Sequence, residues 1–119
     1  MNVSVRDATS LWDMVQAIYK IQSFTTEMTE TDYLDNEVMQ SAVERKLEIL
    51  GEAARRISEG FQAEHPEIDW RNTIGLRNVI AHRYDQIEQE ELWKIVQTIL
   101  PDLLNLLLPL LPFVEELEK

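Results

Sequence analysis

Apolar residues recur along this chain at helical intervals and nowhere alternate as a strand would, which excludes most folds. Leu11, Met14, Val15, Ile18, Ile21 and Phe24 follow i, i+3, i+4 steps and predict a first amphipathic helix. Thr25 to Asp35 is polar and rich in capping residues, a connection with room for a short helical turn around Tyr33 and Leu34. Asp35 can cap a long second helix whose apolar face is Met39, Ala42, Val43, Leu47, Leu50, Ala53, Ala54, Ile57 and Phe61. Gly60 and Pro66 mark its exit. Asp69 is placed to cap a third helix ending near Tyr84. A fourth starts near Gln89 and uses Leu92, Ile95, Val96 and Ile99, with Pro101 kinking or restarting it into a leucine-rich tail. With 3 glycines and 4 prolines in the chain, breaks are few. The expected architecture is all-α, a four- to five-helix up-and-down bundle spanning residues 1–119 as one domain.

Composition narrows the setting. At 119 residues and 45% hydrophobic, the chain can bury a modest core. It has no cysteine, hence no disulfide and no thiolate metal site, which fits a reducing cytosol. The N-terminus lacks a basic stretch followed by an apolar run, so no secretory signal is expected. The longest uncharged part of the tail, Leu103 to Val114, contains Pro109 and Pro112 and falls short of the roughly 20 apolar residues a membrane span needs. A soluble, cytoplasmic protein is expected. Leu103, Leu104, Leu106, Leu107, Leu108, Leu110 and Leu111 would nearly surround a helix drawn there, and a partner surface could share in burying them.

Charge is distributed unevenly. The net charge is −11, yet Trp70 to Tyr84 (WRNTIGLRNVIAHRY) holds Arg71, Arg77 and Arg83, one of the 2 histidines and no carboxylate. A basic island on an acidic body points to a confined site for a phosphate-bearing ligand. The same acidity argues against a nonspecific nucleic-acid coat, since backbone binding runs on Lys and Arg. A confined phosphate-binding site stays compatible with it.

The flanks of the island make it specific. Asp69-Trp70-Arg71, Ile74-Gly75-Leu76-Arg77-Asn78, Ala81-His82 and Tyr84 resemble the signature of the HEPN superfamily, and within it the HepT-like toxins. Val43-Glu44-Arg45 and Leu47-Glu48-Ile49-Leu50-Gly51-Glu52-Ala53 are similar to that family's long second helix. The resemblance covers nearly the whole chain and is weakest after Pro101. It implies a small all-α ribonuclease, dimeric, with a composite active site at the dimer interface and a minimal nucleotidyltransferase antitoxin as partner. It also implies that Tyr84 is the hydroxyl that the antitoxin modifies with AMP.

The residues themselves admit that chemistry. At about 100° per residue, Asn78 and His82 share one helix face, while Arg77 and Tyr84 share another. Together they span roughly 160° of one helix, too wide for tight contact within one chain. Two such helices across a two-fold axis would bring two arginines and two histidines to one cleft. His82 can act as base or acid near neutrality, Arg77 can neutralise a pentacoordinate phosphorus, and Asn78 can orient His82 or donate to a phosphate oxygen. The scheme requires no metal and no cofactor. Arg71 and Arg83 are candidate phosphate contacts, with solvated-face charge the equal alternative. As alternatives, Asn78 can serve as a helix-end hydrogen bond and Tyr84 as an aromatic cap.

Other patterns are weaker. Glu48, Glu52 and Arg56 read most simply as a surface ion-pair ladder, and Arg45, Arg55 and Arg56 as a solvated face more than an RNA track. His65, before Pro66, is expected to play no part. No zinc-binding HExxH, phosphate loop or Gly-Ser pair of a nucleotidyltransferase occurs, so the chain is not expected to AMPylate itself. The competing functional class is a non-catalytic HEPN module binding a nucleotide or a partner through the same cleft. The acidic body favours that module; the Arg77-x4-His82 pair favours the enzyme, because a binding module would not need a titratable group there.

Overall fold

A computed structural model describes the backbone of residues 3–82 and 88–112, and the side chains of these residues except 77–82. Helix α1 (Val5–Thr25) is started by Ser4, whose hydroxyl accepts from the Asp7 amide at 3.0 Å. The predicted stripe Leu11, Met14, Val15, Ile18 and Ile21 is fully buried, and Phe24 half-buried. The short turn expected near Tyr33 is α2 (Glu30–Leu34), held by a reciprocal capping box between Thr29 and Asp32.

Helix α3 (Glu37–Arg55) departs from expectation at both ends. Its cap is Asn36, accepting from the Met39 amide at 2.9 Å, and not Asp35. Asp35 is still the last turn of α2, its own amide bonded to the Thr31 carbonyl, while Asn36 has the extended backbone a cap requires. The long second helix also stops short of Phe61. Ser58 turns extended and caps a separate α4 (Glu59–Glu64). The cause lies 51 residues away: the Ser58 amide and hydroxyl donate to the buried Asp7 carboxylate at 2.8 and 2.7 Å. Ile57 and Phe61 still reach the core on either side of the break.

Helix α5 (Trp70–His82) begins at Asp69, whose Oδ1 accepts from the Asn72 amide at 3.1 Å, as predicted. The last rod is α6 (Gln89–Lys94), a π-helical turn at Ile95–Ile99, α7 (Leu100–Leu107) and a 3₁₀ turn at Leu108–Leu110. Pro101 accounts for the π turn. It has no N–H for the Gln97 carbonyl and its ring crowds that carbonyl, so the helix widens just before it. The Leu100 amide accordingly reaches back to Ile95.

Helix α3 lies at the centre, with α1 and α5 packed against it; α7 leans on α1, and α2 bridges α3 and α6. Among the described residues the fold is all-helical, with four rods (α1, α3, α5 and the α6–α7 pair) as predicted. The tail is more sided than its sequence suggests. Leu103, Leu104 and Leu107 are buried within this chain, whereas Leu106 and Leu108 face solvent. Trp70 and Trp93 are buried and Trp12 is exposed. Among the described residues no helix is long and apolar enough to cross a membrane.

Tyr33 is the largest fully buried side chain. Its ring lies 5.3 Å from that of Trp93, and its hydroxyl donates to Gln89 Oε1 at 2.7 Å. Burial, helped by the nearby Glu44 carboxylate, pushes its ionisation well above the ordinary phenol range. An unfolded tyrosine ionises near pH 10, so Tyr33 stabilises the fold fully below about pH 10 and less as the pH climbs towards its folded value. The unfolding free energy of the parent should therefore fall more steeply between about pH 9 and pH 11 than that of Tyr33→Phe. Parallel curves from urea titrations would show that Tyr33 ionises freely in the folded chain.

Candidate active site

The predicted site lies on α5, and the base of that helix is firmly seated. The Trp70 indole donates to the His65 carbonyl at 2.9 Å and meets the Phe61 ring edge-on at 6.3 Å. Thr73 is buried and its hydroxyl donates to the Asp69 carbonyl at 2.8 Å. Burial of Trp70 and packing along α3 set the axis of α5, and with it the placement of everything further along. The backbone of Arg77 and Asn78 lies in α5, and His82 is its last residue. Arg77 and His82 are thus separated by a rise of about 7.5 Å along one helix. The side chains of Arg77, Asn78 and His82, and the whole of Arg83 and Tyr84, lie outside the described residues.

Arg71 is exposed on the first turn of α5 and borders a shallow depression with Glu59, Gln62 and Glu67. No acidic residue occurs in the first turn of α5. The arginines of α3 are engaged with that helix's own carboxylates. Arg55 meets Glu52 at 2.6 Å, Arg56 meets Glu52 at 3.9 Å, and Arg45 meets Glu48 at 3.6 Å. The expected ladder is therefore half as drawn: Glu52 pairs with Arg56, but Glu48 turns back to Arg45. Such exposed pairs are screened by solvent and add little to stability, yet they explain these arginines without RNA. Arg45, Glu48, Glu52 and Arg56 line an open groove of about 480 Å³ with Asp13 of α1.

His65 packs at the junction that leads into α5. Its ring lies 4.4 Å from that of Phe61, its Nδ1 is 3.3 Å from Glu67, and its carbonyl receives the Trp70 indole. Among the described residues no three His, Cys, Asp or Glu side chains are grouped to hold a metal ion. Sequence reasoning missed the polar contacts that tie the start of α6, just past the motif, to α2 and α3. Gln89 Nε2 donates to Glu44 Oε2 at 2.8 Å while Gln89 Oε1 accepts from Tyr33. No local pattern marks partners 45 and 56 residues apart.

The described residues form an all-helical fold whose α5 sequence is basic and carries a histidine, and comparison with known proteins makes the class specific. The family model described as ribonuclease HepT-like matches residues 14–110. A candidate RNase of Methanocaldococcus jannaschii is 35% identical over 100 residues, covering 83% of this chain and 92% of its own. A protein of Thermococcus cleftensis named as a probable ribonuclease HepT is 40% identical over 93 residues, covering 78% and 84% of the two chains. No solved structure matches. The chain belongs to the HepT-like ribonuclease family. The expectation of an RNA-cleaving enzyme agrees with that membership.

Proposed function

We propose that this protein is the toxin half of a toxin–antitoxin pair, a metal-independent endoribonuclease acting in the cytosol as a homodimer and silenced by a minimal nucleotidyltransferase. The observation that carries the reading is the Arg77-x4-His82 pair on the last turns of α5, within a stretch of three arginines and no carboxylate on a chain of net charge −11. Two copies of α5 facing each other across a two-fold axis supply two arginines and two histidines to one cleft. One His82 removes the proton from a ribose 2′-OH, and the oxygen attacks the adjacent phosphorus. Arg77 offsets the charge that builds on the phosphoryl oxygens. The 5′-oxygen leaves with a proton from the second His82, giving a 2′,3′-cyclic phosphate and a free 5′-OH. Asn78 orients the imidazole, and Arg71 and Arg83 hold flanking phosphates.

Silencing acts at Tyr84. AMP on its hydroxyl adds a phosphodiester charge beside Arg77 and occupies the space of the substrate phosphate. Tyr84→Phe is expected to remain an active RNase that arrests growth despite the antitoxin's enzymatic activity. Mass spectrometry of the protein co-expressed with its nucleotidyltransferase partner should find AMP on the peptide containing Tyr84. An unmodified Tyr84 in a fully neutralised complex would assign inhibition to steric blocking instead.

A further inference from the structure

Helix α5 runs to His82, and α6 starts at Gln89. Most helices start on a side chain that caps them, but Glu88, at the cap position of α6, makes no such bond. The start of α6 is held by the Gln89 carboxamide, bonded at both ends. Its oxygen accepts from Tyr33 Oη at 2.7 Å and its nitrogen donates to Glu44 Oε2 at 2.8 Å. The orientation is dictated by chemistry: the carboxylate accepts, so the amide nitrogen must face it, which leaves the oxygen for the phenol proton. The platform is itself fixed. Tyr33 is fully buried, and Gln40 Nε2 donates to the carbonyls of Tyr33 and Leu34 at 3.0 Å each.

Glu44 sits on α3, the helix against which α5 packs. The helices on both sides of the motif's end are therefore referred to one element, α5 by apolar packing and α6 by a polar clasp. We infer that Tyr33, Gln89 and Glu44 are positioning residues for the Arg77–His82 site, fixing the place of Gln89, seven residues past His82, at the start of α6. The inference rests on the ribonuclease reading above. In this role the three act through the backbone and do not contact RNA.

Gln89→Ala and Glu44→Ala should each lower kcat for RNA cleavage about tenfold, the scale of a small misplacement, with KM within about twofold of the parent. Glu44→Gln should restore kcat, because its carboxamide oxygen can accept the same hydrogen bond without the charge. Gln89→Ala cleaving like the parent would overturn the inference, and so would Glu44→Gln as slow as Glu44→Ala, which would show that charge, not position, matters. Hydrogen exchange on the full chain gives a readout independent of activity: amides of Gln89 to Trp93 should exchange faster in Gln89→Ala, with α1 unchanged. Unaltered exchange there would also overturn it. Should Gln89→Ala not fold, Glu44→Ala carries the same measurements. Failure of the ribonuclease reading looks different: the parent and His82→Ala would be indistinguishable on RNA, while the exchange result would still decide whether the clasp holds α6.

Discussion

His82→Ala and Arg77→Ala are each expected to reduce RNA cleavage by about 10²–10⁴-fold, the scale for removing a general acid–base group. Growth arrest should disappear with it. Helicity and the unfolding transition should stay near the parent's, because the contacts that seat α5 come from Trp70 and Thr73 several residues upstream. If His82→Ala still cuts RNA like the parent, His82 is structural and the mechanism falls. Cleavage by the parent should also persist in EDTA. Activity lost to chelation and restored by magnesium would replace the histidine scheme with a metal-assisted one.

The second large effect is on stability. Leu47 is fully buried on α3, the helix that carries both α1 and α5. Leu47→Ala removes apolar contact and leaves a cavity that close-packed helices can collapse only in part, at a cost of about 2–5 kcal/mol. Domains of this kind are typically stable by only about 5–15 kcal/mol, so urea unfolding should shift far to lower denaturant. Val38→Ala, on the same helix but 81% exposed, should move stability by no more than about 0.5 kcal/mol. Similar losses from the two substitutions would contradict the placement of α3 at the centre. Since α5 takes its position from α3, Leu47→Ala should also slow cleavage at temperatures where it remains folded.

Helix periodicity disclosed most of the fold because burial on a helix repeats every three to four residues, and α1 shows this most plainly. The cap at Asp69 was legible for a similar reason: an N-cap is a local contact, made within three residues. The cap of α3 was displaced by one residue because Asp35 and Asn36 are both capable caps, and the end of α2 had already claimed Asp35. The break at Ser58 was invisible. Ile57 and Phe61 stay in phase with the stripe before them, and only the arrival of Asp7 gives Ser58 a reason to leave the helix.

The site divides in the same manner. The residue types and spacing in Arg77-x4-His82, and the absence of carboxylates around them, are properties of one short segment and were readable in the chain. So was the all-α class, which needs only periodicity and few breakers. What the tertiary structure decided are the contacts between residues far apart in sequence. Asp7 stops α3, α3 carries α5, and Glu44 with Tyr33 pins the start of α6. It likewise decided which tail leucines are covered, since burial depends on the neighbour supplied by α1 and not on hydrophobicity alone. Local patterns carry information about the nearest few residues, and these pairings are set only when the helices pack.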